Sequence, residues 1–174
     1  MKTITIDFPG LSLNQVREQN KELFFSQSWY EDELFANDVI PAGTFQVSLE
    51  PVKDSMNKLW SEQQILLATG DTVPPAAVLI YAIIQHFKET GERAFEKTFV
   101  RTFSIGSDGY RVYVGSFDAH GLDVSNGWDS GSDSSLGLAS SREVQNLKHR
   151  NLEPLASLNL PKNLVINGVK YIKE

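Results

Sequence analysis

Hydrophobic and polar residues alternate along several stretches of the chain with the two-residue period of β-strands. Apolar residues at every second position predict strands at 4–8, 44–49 and 95–103. A second pair of apolar stretches, at 110–115 and 136–140, predicts two further strands. The turn residues Ser107-Asp108-Gly109 predict that the strands at 95–103 and 110–115 are antiparallel.

Other stretches show the spacing typical of helices. The run 76–90 is apolar around most of its circumference, and Pro75 and Gly91 suit its first turn and its end. It is predicted to be the central buried helix, and His86 within it is predicted to be a packed core residue. Weaker spacing predicts helices at 13–25 and at 54–68, the second with these residues buried: Leu59, Trp60, Ile65 and Leu66.

A long polar segment lies between the strands predicted at 110–115 and 136–140. Residues 118–135 are nearly all Asp, Ser, Gly, Asn, Ala or His, and only Leu122, Val124 and Trp128 interrupt them. Long loops inside compact domains are usually functional or disordered. The isolated apolar residues favour a functional loop, since they could anchor an irregular surface to the core.

The C-terminal part of the chain has a different pattern. Asn167-Gly168 separates two short apolar stretches, which predicts a β-hairpin with a two-residue turn. We therefore predict a domain over 1–146, with residues 1–30 as a candidate extension of it. A tail over 147–174 is predicted to carry the hairpin and to pack on that domain.

Composition narrows the function classes. The 174 residues are 41% hydrophobic, include no cysteine and carry a net charge of -6. Without cysteine, thiol catalysis, disulfides and thiolate metal sites are excluded, and the acidic charge argues against nonspecific nucleic-acid binding. No apolar run is long enough for membrane insertion and no signal peptide is visible, so the sequence leaves localisation open.

Three motifs, in this order and spacing, resemble one branch of the C-type lectin fold. VPPAAVLIYAI at 73–83 resembles its proline-led second helix. RVYVGSF at 111–117 resembles its Arg-Val-x-x-Gly-Ser-Trp strand, with Phe117 in place of tryptophan, and LGLASSR at 136–142 resembles its closing strand. The resemblance covers 40–142. It implies an α+β C-type lectin-like fold with two helices, a small antiparallel sheet and long irregular loops, to which the C-terminal hairpin would be added.

That branch contains enzymes and binding proteins, and the enzymes fit this sequence poorly. Formylglycine-generating enzymes need cysteines, and the chain has none. Related iron-dependent enzymes use clustered histidines, whereas His86, His120 and His149 have no spacing that implies a shared metal. We therefore predict neither an enzyme nor a cofactor.

The variable proteins of diversity-generating retroelements are the better match. In those systems template adenines, typically in Asn codons, are replaced at random, which reaches small polar residues but not Lys, Glu, Gln, Met or Trp. The resemblance implies exchangeable, ligand-binding positions at Asp118, Ala119, His120, Asp123, Ser125, Asn126, Gly127, Asp129, Ser130, Gly131, Ser132, Asp133, Ser134 and Ser135. It implies a fixed scaffold at Phe117, Leu122, Val124, Trp128, Leu136 and Leu138, with Trp128 predicted to be a core anchor.

The leading hypothesis is a display protein whose hypervariable surface at 117–138 recognises a protein or a cell-surface target. An ordinary surface loop uses the same residues, so that alternative stays open. A calcium-dependent lectin is a second alternative, with oxygen ligands from Asp118, Asp123, Asn126, Asp129 and Asp133. A structural subunit of a virion or surface assembly is the third.

Overall fold

The computed structural model describes residues 2–144, 163–166 and 169–172. The chain divides into two compact units, Met1–Val144 and Gln145–Glu174. The first unit contains both helices and sheets, which confirms the α+β class.

The first unit has two sheets. One has the strand order β1-β2-β7 and the other β5-β4-β3-β6. The strands are β1 Thr3–Phe8, β2 Gly43–Ser48, β3 Phe99–Ile105, β4 Arg111–Asp118, β5 Gly121–Gly127, β6 Leu136–Leu138 and β7 Ser141–Glu143. The α-helices are α1 Leu13–Glu18, α2 Leu34–Asn37, α3 Trp60–Gln64 and α4 Ala76–Thr90, with a 3-10 turn at Lys21–Leu23.

Helix α4 is buried and packs against both sheets, and its apolar sequence predicts that burial. Gly91 ends the helix in the left-handed conformation with φ 76°, which glycine adopts at little cost. Tyr81 contacts Phe8 of β1 with ring centroids 5.3 Å apart, and Phe87 contacts Phe117 of β4 at 5.1 Å. One helix therefore joins both sheets into a single core.

The four-stranded sheet has an inner face toward α4 and an outer face away from it. Val114 pairs with Val124 across β4 and β5, and both are fully buried in the core. Because side chains alternate along a strand, the neighbouring pair Tyr113 and Ser125 lies on the outer face. Phe99 of β3 lies on the same face, opposite Gly115.

The helix predicted at 54–68 is wrong, since only Trp60–Gln64 is α-helical. Asp54 and Asn57 adopt left-handed conformations with φ 64° and 55°, which a right-handed helix does not permit. The predicted buried face is also wrong, because Ile65 is 82% exposed while the polar Gln63 is fully buried.

Several other predicted helices and strands have different bounds in the structure. The strand predicted at 95–103 begins at Phe99, because Phe95 lies in a turn with φ 57°. The helix predicted at 13–25 is reduced to the six residues of α1 and the short 3-10 turn. The sheet is not purely antiparallel, because β6 runs parallel to β3. The described residues contain four α-helices, whereas the lectin resemblance implies two.

The second unit contains two paired strands, β8 Asn163–Ile166 and β9 Val169–Ile172. They are antiparallel, and Ile166 is the partner of Val169. The predicted turn at Asn167-Gly168 and the histidine at position 149 lie outside the described residues.

Candidate functional site

The polar segment 118–135 is not one long loop. Its first half forms the end of β4, a turn at 119–120 and strand β5, and only residues 128–135 form an irregular loop. Leu122 and Val124 are two residues apart and both are fully buried, so they give β5 the period of a strand. That alternation was present in the sequence and could have predicted the strand.

Burial separates the predicted exchangeable positions from most of the predicted scaffold. Each exchangeable position is exposed or half-buried, and these are exposed: Ala119, His120, Ser130, Gly131, Ser132, Asp133 and Ser134. The half-buried positions are Asp118, Asp123, Ser125, Asn126, Gly127, Asp129 and Ser135. The scaffold residues Phe117, Leu122, Val124 and Leu138 are at most 1% exposed. Their predicted packing is therefore confirmed.

Trp128 is not a core anchor. It is 64% exposed, and its ring contacts Tyr110 with centroids 4.2 Å apart. The strand alternation ends at Gly127, so nothing directs the next side chain into the core. Leu136, another predicted scaffold residue, is only half-buried.

The buried Arg101 of β3 donates hydrogen bonds to the backbone of the 128–135 loop. The residue is 1% exposed, and its guanidinium donates through Nη1 to the Lys58 carbonyl at 2.9 Å and to Gln63 Oε1 at 2.8 Å. Through Nη2 it donates to the carbonyls of Trp128, at 3.3 Å, and Gly131. Burial lowers the pKa of Arg101. Four acceptors satisfy the buried cation.

The rest of the unit Met1–Val144 is called the body here, and three of its backbone amides donate to further carbonyls of the loop. Trp60 N–H donates to the Asp129 carbonyl at 3.0 Å, and Asn57 N–H donates to the Asp133 carbonyl at 2.9 Å. Phe99 N–H donates to the Ser135 carbonyl at 2.8 Å. With the two carbonyls bound by Arg101, five loop carbonyls accept hydrogen bonds from residues outside the loop.

Asp129 is the one predicted exchangeable residue that an arginine holds by its side chain among the described residues. Its Oδ1 and Oδ2 accept from Arg111 Nε and Nη2 at 2.7 and 3.1 Å. The Arg111 guanidinium also lies over the Trp60 ring, 3.6 Å from its centroid. A bidentate pair stacked on an aromatic ring is geometrically specific. Asp129 therefore belongs with the structural residues rather than with the free surface.

A shallow groove of about 290 Å³ lies on the outer face of the sheet beside the loop. Its lining residues are Phe99, Tyr113, Ser125, Asp133, Ser135 and Leu136. Phe99 and Tyr113 make an edge-to-face contact with ring centroids 5.2 Å apart. Three predicted exchangeable residues, Ser125, Asp133 and Ser135, are thus brought together on an aromatic floor.

The turn at 119–120 lies at the other end of β5 from the loop. β5 has seven residues, which at about 3.3 Å per residue separates the two by about 20 Å. Asp118 Oδ1 accepts from the His120 amide at 2.7 Å, and this hydrogen bond lowers the pKa of Asp118. The predicted surface therefore consists of two separated parts.

The aspartates of the alternative calcium site do not converge. Asp118 lies at the far turn, Asp129 binds Arg111, and Asp133 accepts from the Ser135 amide and hydroxyl. Within residues 2–144 and the two C-terminal strands, no three acidic or histidine side chains are grouped so that they could hold a metal ion.

Two of the three histidines lie in the described part of the chain. His86 is 6% exposed in α4, with Nε2 3.4 Å from Glu92 Oε2, so its predicted packing in the core is confirmed. His120 lies on the exposed turn beside Asp118.

Comparison with protein-family models, curated proteins and solved structures finds no match to this chain. Among the described helices, none has the length and apolar character needed to cross a membrane.

Proposed function

We propose that this chain is a binding protein that presents exchangeable side chains on a rigid C-type lectin-like scaffold. Its recognition surface is the 128–135 loop with the adjoining outer face of β5. The target is a protein or another component of a cell surface. The far turn at 119–120 is a secondary part of that surface.

The observation that carries this proposal is the way the loop is attached. Arg101, Asn57, Trp60 and Phe99 all donate to main-chain carbonyls of the loop. Every amino acid has that carbonyl. Side chains at the exposed loop positions can therefore change while these hydrogen bonds remain, which is what a variable recognition surface requires.

A fixed loop also favours binding. Association costs free energy when loops must be ordered, and a preorganised surface avoids much of that cost. Maturing antibodies improve their paratopes in the same way, by rigidifying a loop that carries variable residues. Apart from the exposed Trp128, the exposed side chains of the loop are small and polar, so this copy presents a shallow polar surface beside one aromatic ring.

A display library tests whether the surface can recognise targets. Positions 130, 131, 132 and 134 would be randomised in the full chain, and a matched library would vary four exposed positions outside the surface: Glu22, Glu89, Glu96 and Lys97. We expect both libraries to fold and only the first to yield target-specific binders against a panel of purified proteins. Binders at equal frequency from both libraries, or unfolding of the first, would contradict the proposal.

The origin of the variation has a separate genomic test. We expect a second copy of the DNA that encodes 111–142, differing at adenines and lying beside a reverse transcriptase gene. A single copy without such a gene nearby would contradict the retroelement part of the proposal.

A further inference from the structure

We propose that the groove on the outer face of the sheet receives a cationic side chain, a lysine ammonium or an arginine guanidinium, from the partner protein. This inference rests on the proposed function, since it names the chemistry that this copy of the surface recognises. Three features of the groove support it: the rings of Phe99 and Tyr113, the Asp133 carboxylate, and the absence of an unpaired arginine nearby among the described residues.

The floor of the groove is aromatic. Phe99 and Tyr113 meet edge to face there, and both lie outside the exchangeable set. A β-carbon at position 127 would lie 3.2 Å from Tyr113 Cε1, so Gly127 leaves room for that ring. A cation over the face of a Tyr or Phe ring is attracted by the negative charge of that face. The alkyl stem of a lysine or arginine gains apolar contact with the same rings.

Asp133 supplies the only charged side chain of the groove lining. Its Oδ1 accepts from Ser135 N–H at 2.7 Å and from Ser135 Oγ at 2.5 Å, which orients the carboxylate. Among the described residues, no donor reaches Oδ2. These hydrogen bonds from Ser135 lower the pKa of Asp133, so the group is ionised at neutral pH. A fixed carboxylate with one free oxygen suits a hydrogen-bond donor that carries positive charge.

The nearby arginines already have partners, because Arg101 donates to four acceptors beneath the loop. No lysine or arginine occurs between Arg111 and Arg142, and Arg111 is already bound to Asp129. An anionic ligand would be repelled by Asp133. An apolar side chain would cover the free carboxylate oxygen without replacing its hydrogen bonds to water, which is unfavourable.

The groove can be probed with capped amino acids while the partner is unknown. We would titrate the isotope-labelled full chain with Nα-acetyl-lysine N-methylamide, with the arginine analogue and with the norleucine analogue, which has a similar stem and no charge. Amide NMR shifts of Tyr113, Ser125 and Ser135 report the groove. For fragments of this size we expect dissociation constants on the order of 1–10 mM for the two cations. The norleucine analogue should bind at least about fivefold more weakly.

A matched pair of aspartates provides the control. Asp133 and Asp118 each accept a backbone amide two residues ahead at 2.7 Å, but only Asp133 lines the groove. Asp133→Asn keeps the acceptor for Ser135 and removes the charge, so it should weaken lysine binding by about fivefold or more. Asp118→Asn should change binding by less than about twofold.

A second variant keeps the inference testable if Asp133→Asn alters the loop. Ser125→Leu would fill the groove from β5 and leave Asp133 in place, and it should abolish binding of both cations. Equal binding of the norleucine and lysine analogues, no shift change at high probe concentration, or unchanged binding by Asp133→Asn would overturn the inference. If these arms fail while the display library still yields binders, only the groove assignment is wrong and the proposed function stands.

Discussion

The turn at 119–120 and the loop at 128–135 have similar composition but are held in different ways. The turn is fixed by its own side chain, because Asp118 accepts from the His120 amide. The loop contains the same kind of bond, from the Ser135 amide to Asp133, but residues outside the loop, chiefly Arg101, also bind its carbonyls. A change of side chain at 118 can therefore remove a hydrogen bond that orders the turn. A change at 130, 132 or 134 leaves the loop attachments in place.

This difference shows that polar composition does not identify a preorganised surface. Both segments consist of residues that any solvated turn uses. What distinguishes the loop is the set of donors beneath it, and these come from positions distant in sequence, such as Asn57 and Arg101. The following predictions test whether those donors, rather than the loop residues, determine its structure.

The largest effect is expected when the buried arginine is removed. Arg101→Met removes hydrogen bonds to four acceptors, of which the Trp128 carbonyl keeps a bond from the Gly131 amide, and we expect a loss of about 2–4 kcal/mol in the free energy of unfolding. Arg142→Met is the control. Arg142 is exposed, and its guanidinium donates to Asp71 and to the Thr69 carbonyl. It should cost at most about 1 kcal/mol. Urea unfolding measures both, and equal losses would show that Arg101 has no special role.

Two glycines give a matched comparison of the body and the loop. A β-carbon on Gly137 would lie 2.8 Å from both Met56 Sδ and Pro51 Cβ, whereas one on Gly131 would meet only the Trp128 carbonyl, at 3.3 Å. We expect Gly137→Ala to cost about 1–3 kcal/mol through overpacking, and Gly131→Ala to stay within about 0.5 kcal/mol. Thermal unfolding measures the two variants, and a larger cost at position 131 would contradict the division between body and loop.

Asp129 separates structural from exchangeable positions within the loop itself. Asp129→Asn weakens a bidentate ion pair with buried Arg111, so it should cost about 1–2 kcal/mol. The triple variant with Ser130, Ser132 and Ser134 changed to alanine should cost less than about 0.5 kcal/mol. If chemical denaturation ranks the triple variant as the less stable protein, the loop side chains do contribute to its structure.

The smallest effect concerns pH. Hydrogen bonds from Ser135 and from the His120 amide lower the pKa of Asp133 and Asp118, whereas burial raises the pKa of Asp123. Stability from the first two is present above the ordinary carboxyl value of about 3.9 and is lost as pH falls through their lower values in the folded protein. Ionised Asp123 instead costs stability, and this cost disappears as pH falls through its raised value. Carboxyl NMR should therefore titrate Asp123 last as acid is removed, and the reverse order would refute these environments.

Sequence patterns predicted the parts of the fold that burial alone determines. β1, β2, α4 and the burial of Phe117 follow from regular spacing of apolar residues, whereas the burial of Leu122 and Val124 was predicted from their isolation in a polar segment. These predictions succeed because a strand or helix with one apolar face must cover that face.

The parts that depend on tertiary contacts were not predictable in this way. Arg101 occupies an outward position on β3, where sequence patterns place an exposed cation, yet the segment around Lys58 and Gln63 covers it. That segment was predicted as a helix because its apolar spacing fits one, but left-handed Asp54 and Asn57 prevent it. Trp128 was predicted to be buried as an isolated apolar residue of the polar segment, but it follows the end of β5 and is 64% exposed.

Amide hydrogen exchange in a loop variant tests the central claim most directly. Asn57, Trp60 and Phe99 donate their amides to loop carbonyls, so their exchange rates report the loop attachment. In the variant with Ser130, Ser132 and Ser134 all changed to tyrosine, we predict that protection of these amides stays within about twofold of the parent chain. A loss of protection by about tenfold or more at Asn57 and Trp60, with the core amides of α4 unchanged, would show that the loop depends on its own side chains and would contradict the account.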